Sequence, residues 1–143
     1  MSHCPEQFAV KLNEMERAYD RLQGRMELFE HISPENLHTE MEQIRSACQA
    51  YDILLSNAIQ KSRTPLISQL AQAQLRYNQT AQAIMENAVR EYSSTDAQAE
   101  AAAICAEFAM DQAICGMNHA LLAALLATEK QHTANETSGE EMK

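Results

Sequence analysis

The sequence predicts an all-α protein: an up-down-up-down antiparallel four-helix bundle with coiled-coil-like packing and a long Ala-rich C-terminal helix. Three observations lead there. The first is punctuation, because Ser33-Pro34, Thr64-Pro65 and Ser93-Ser94-Thr95-Asp96 divide the 143 residues into four long segments. A hydroxyl residue followed by Pro marks a helix start, since the hydroxyl caps a backbone N–H and Pro needs none in the first turn. The second is spacing, with apolar residues alternating at four and three along the segments, a period that paints one face of a helix. The third is composition: three Gly, three Pro and no Trp, against recurring Ala, Gln, Glu, Leu and Met, the residues that lose least on entering a helix.

The first helix is expected from about Pro5 to His31. Its seam is Phe8, Leu12, Met15, Tyr19, Leu22, Met26 and Phe29, three unbroken heptads of bulky side chains. Ser33 and Pro34 then open a second helix to about Lys61, with Leu37, Met41, Ile44, Cys48, Tyr51, Leu55 and Ala58 as its seam. A connection this short forces the two helices antiparallel. Thr64 and Pro65 open the third, which reaches about Tyr92 on a poorer seam of Leu66, Leu70, Ala73, Tyr77, Ala81, Ile84 and Ala88. Gln69, Gln72, Gln74, Gln79 and Gln82 clothe its outside.

The last helix, from Thr95, is the spine of the predicted bundle. Ala102, Ala106, Ala109, Ala113, Gly116, Ala120, Ala123 and Ala127 form a heptad seam with nothing larger than a methyl group, which lets a bulky partner helix approach closely. Residues 1–132 are therefore expected to form one bundle domain. From Thr133 the periodicity stops, so 133–143 is expected to be a disordered acidic tail.

Charge and motifs narrow the function. The net charge of −9 repels phosphate, and the row Arg17, Arg21, Arg25 is interspersed with Glu14, Glu16, Asp20 and Glu27, so no nucleic-acid partner is expected. No stretch has the roughly 20 apolar residues of a membrane span. The start of the chain lacks a basic, then apolar, signal pattern, and Cys4, Cys48, Cys105 and Cys115 contain no CxxC pair; a cytoplasmic chain with reduced thiols is the expectation.

Two Glu-x-x-His pairs, Glu35–His38 and Glu129–His132, match half of a carboxylate-bridged di-metal bundle, in which such pairs meet at mid-height. In an up-down bundle these two fall at opposite ends. Cys115 and His119, one turn apart, lack a second ligand pair nearby. The expectation is no metal, no cofactor and, with neither a nucleophile–base motif nor a phosphate loop, no enzyme.

The informative feature is the rest of the spine's circumference. Glu100, Glu107, Asp111 and Asn118 lie on one narrow line, and Ile104, Ile114, Leu122 and Leu125 flank it within about 40°, taking 100° per residue. Those four are the candidate partner or dimer surface, because a helix apolar nearly all round is covered from more than one side. The sequence thus points to a small interaction module, of an adaptor, chaperone-like, regulatory or immunity type, acting by helix–helix docking as a homodimer or on another protein. The alternatives are a bundle holding a metal or small apolar ligand in its interior and an enzyme site assembled from scattered residues.

Overall fold

The computed structural model describes residues 4–141. They form α1 (Cys4–Leu28), a 3-10 turn (Phe29–His31), α2 (Pro34–Lys61), α3 (Pro65–Glu91) and α4 (Thr95–Glu141), with no strand among the described residues. The helix starts follow the expected punctuation. Ser33 has extended backbone angles and its Oγ accepts from the Asn36 N–H at 3.2 Å, ahead of Pro34 in the first turn. Ser94 Oγ accepts from the Ala97 N–H at 3.1 Å, and Asp96 sits in the first turn of α4, where a carboxylate meets the positive end of the helix dipole. Thr64 occupies the cap position of α3, but its side chain makes no capping bond. Ser62 Oγ accepts from the Thr64 N–H at 3.2 Å instead, so the turn itself is tied by the preceding serine.

The Ser33 cap gives a direct test. Ser33→Ala removes a hydrogen bond to an otherwise orphaned N–H, and is expected to cost about 1 kcal/mol, within the 0.5–2 range of cap removals. Urea denaturation followed by circular dichroism reads the change; an unaltered midpoint would mean that the cap contributes nothing to α2.

Two compact units make up the chain: His31–Glu107 is one, and α1 with α4 from Phe108 onward is the other. Within the first, α2 and α3 form a helical hairpin. Its antiparallel sense shows in side-chain bonds that join the end of α2 to the start of α3 and the middle of α2 to the middle of α3. Ser68 Oγ donates to the Ile59 carbonyl at 3.3 Å, Tyr51 OH to Gln74 Oε1 at 3.4 Å, and Asn78 Nδ2 to Asp52 Oδ1 at 3.3 Å. Leu55 and Ala71 are buried at 7% and 6% exposure, with Ala58, Ile59, Ser68 and Leu75 half-buried. A large side chain facing a methyl group is what lets the two backbones close.

That core is short. Leu37, Met41, Ile44 and Tyr51, earlier in the α2 seam, are exposed, as are Leu66, Leu70, Tyr77 and Ile84 of the α3 seam. Ala101 in the opening turns of α4, 8% exposed, completes the buried set among the described residues. In the second unit Phe8, Met15 and Arg25 of α1 and Met110, Ala124 and Thr128 of α4 are half-buried, and the rest of 6–30 and 108–139 is exposed. The structure is therefore all-helical with four long helices, of which α2 and α3 are the pair packed along one another.

Two expectations are changed by the structure. The small-residue seam of the spine, Ala102 through Ala127, is exposed at all eight positions; the pattern marks a face that permits close approach, while what approaches it is not encoded in the pattern. The second concerns the C-terminal segment, where α4 continues through 133–141 as helix. Its residues are mostly polar, with Thr133 Oγ1 donating to the Glu129 carbonyl at 3.1 Å, Thr137 Oγ1 to the Thr133 carbonyl at 3.0 Å, and Gln131 Nε2 to Asn135 Oδ1 at 3.0 Å. Residues 142–143 of the expected tail lie outside the described residues.

Candidate docking surface on the last helix

α4 runs for 47 residues, about 70 Å at 1.5 Å per residue. From Phe108 to Thr128 it carries one charged side chain, Asp111, beside Asn118 and His119. Over that span Met110, Ala124 and Thr128 are half-buried and every other residue is exposed. Little tertiary packing holds this apolar span, and propensity alone stabilises a helix only marginally.

The four residues singled out from the sequence are all on this exposed surface: Ile104 (49%), Ile114 (58%), Leu122 (58%) and Leu125 (67%). They do not share one face. Ile104 and Leu122 are five turns apart on nearly the same bearing, whereas Ile114 and Leu125 stand about 60–80° round the helix, on the other side of the Glu107–Asp111–Asn118 line. Ile114 belongs with Met110, Met117, Leu121, Ala124 and Thr128, a four-three seam that includes the three half-buried residues of this segment. Ile104 and Leu122 belong with Phe108, Cys115 and Leu126, a strip on which all five residues are exposed. Sequence reasoning missed Phe108 and Leu126. Their signal was the same period of spacing, hidden because Asp111 and His119 interrupt the strip.

The polar groups on α4 have few partners of their own. Cys115 Sγ and His119 Nε2 stand 3.9 Å apart, one turn along an exposed face, a weak sulfur contact. Cys48, Cys105 and Cys115 are free thiols. The Glu-x-x-His pairs stand in the first turn of α2 and late in α4, and all four side chains are exposed. Among the described residues no three His, Cys, Asp or Glu side chains gather as a metal site, and no helix is long and apolar enough to cross a membrane. What this surface offers a ligand is apolar area with two or three polar markers, which suits another helix. Comparison with protein-family models, curated proteins and solved structures finds no match to the chain.

Proposed function

We infer that this protein is an interaction module that works by docking α4 against a helical partner, with no chemistry of its own. The observation that carries the reading is the span from Phe108 to Thr128, with a single charged side chain and almost no cover from its own chain. Each large apolar side chain fully buried there returns about 1.5–3 kcal/mol, and the exposed set includes Phe108, Ile114, Leu121, Leu122, Leu125 and Leu126. An up-down four-helix bundle with coiled-coil-like packing, closed when the seams of α1 and α2 are covered, is part of this reading. So are a cytoplasmic setting and a homodimer as the resting assembly.

The test is a pair of charges placed on the surface. Leu122→Glu with Leu125→Glu is expected to give a soluble monomer, while the parent chain sediments as a dimer, and circular dichroism should show unchanged helicity. Identical masses for parent and variant in high-micromolar sedimentation equilibrium would overturn the reading.

A further inference from the structure

The strip through Ile104 and Leu122 reads the same in both directions. Its members are Ile104, Phe108, Asp111, Cys115, His119, Leu122 and Leu126, spaced four, three, four, four, three, four. All seven are exposed. At 100° per residue they fall within a band about 80° wide. Their mean step of about 3.67 residues is that of an eleven-residue repeat, a strip that follows a partner helix with a right-handed supercoil.

Resting on the docking reading above, we propose that the occupant of this strip is the same strip of a second copy, laid antiparallel about a two-fold axis through Cys115. The register follows from the symmetry of the spacing. Ile104 then lies level with the second copy's Leu126, Phe108 with its Leu122, Asp111 with its His119, and Cys115 with its Cys115. Every large apolar residue meets a large apolar residue. The one acid on the strip meets the one imidazole, so a carboxylate acceptor faces an N–H donor on each side of the axis. Mixed layers of this kind, with the two members offset to opposite sides of the seam, are how antiparallel helices interlock.

A parallel pair would do worse. It would place Asp111 against Asp111 and His119 against His119, which opposes like groups across the contact. The strip is about 33 Å long, and a third of the circumference of a helix about 10–12 Å across is roughly 350–400 Å² per chain, so the pair covers about 750 Å², the size of a weak, reversible association. One surface that satisfies itself is the property a two-fold dimer requires.

The register is tested by cross-linking in the full chain. With Cys4, Cys48 and Cys105 changed to Ser, diamide should join two chains through Cys115; each thiol gives up its proton and the sulfurs form one disulfide as diamide is reduced to its hydrazine. Further change of Cys115→Ser should abolish the product. On that cysteine-free background, chains with Phe108→Cys mixed with chains carrying Leu122→Cys should cross-link to each other at least tenfold faster than either does to itself. Sedimentation of the parent under reducing conditions reports association separately from register. A dimer in which Phe108→Cys links to itself and not to Leu122→Cys overturns the antiparallel register and leaves the docking reading standing. A parent that stays monomeric at high micromolar concentration overturns both.

Discussion

Leu55→Ala is expected to lower the stability of the α2–α3 hairpin by about 2–5 kcal/mol, the range for truncating a buried Leu. Leu55 is the largest side chain among the three buried residues, so the hairpin has little else to compensate with. Ala71 beyond it is too small to fill the space left. The bonds on either side, Ser68 to the Ile59 carbonyl and Asn78 to Asp52, span a gap that only close packing maintains. Chemical denaturation should show the loss, and amides of α2 near Leu55 should lose exchange protection with it. Ile53→Ala, two positions away and 61% exposed, should change stability little. Equal losses at both positions would mean that the hairpin core lies elsewhere.

Ala120→Pro is expected to break α4 in the middle of its exposed apolar span. Proline removes a backbone N–H and its ring collides with the preceding turn, a cost of about 3 kcal/mol or more in a helix interior. Ala120 is exposed, so the loss is one of backbone and not of packing, and Ala120→Gly, costing about 1 kcal/mol, separates the two. The proline variant should lose helicity by circular dichroism and should lose self-association, because Leu122 and Leu126 no longer stand in line with Phe108. The glycine variant should retain both in large part. A proline variant with full helicity and undiminished association would show that α4 is not one continuous helix through this point.

Much of the secondary structure was legible from the order of residues. Ser33-Pro34 and Thr64-Pro65 placed the starts of α2 and α3, because a residue without an N–H and, at Ser33, a capping hydroxyl act within a single turn and need no tertiary context. The end of α4 was not legible. From Thr133 onward there is no apolar stripe to read, and the threonine hydroxyls that return there to carbonyls four residues back leave no periodic trace. Packing was the least legible. The seam of α2 is continuous from Leu37 to Ala58 in the sequence, yet along it burial begins only at Leu55. Periodicity says which face of a helix is apolar; it carries no information on how far along that face a neighbour reaches.

The candidate surface shows the same division. Ile104, Ile114, Leu122 and Leu125 were identifiable because they interrupt what would otherwise be a one-sided helix. Their separation into two strips needed the exposure of Phe108 and Leu126 to be set beside the half-burial of Met110, Ala124 and Thr128. A polar residue in such a strip reads, in sequence, as a break. Asp111 and His119 looked like interruptions, and only the symmetric positions they hold about Cys115 give them a place in the strip.

The polar extension of α4 beyond Thr128 has a consequence for how the helix responds to disturbance. Among the described residues its side-chain hydrogen bonds run within the helix and residues 129–139 are exposed, so its opening disturbs little else. Amide exchange along α4 should then follow a gradient, fast from the C-terminal end and slowed only where an apolar contact must be broken first. A protease meeting the chain would find its earliest purchase on the same turns, and trimming there would shorten the helix without loosening what lies before it.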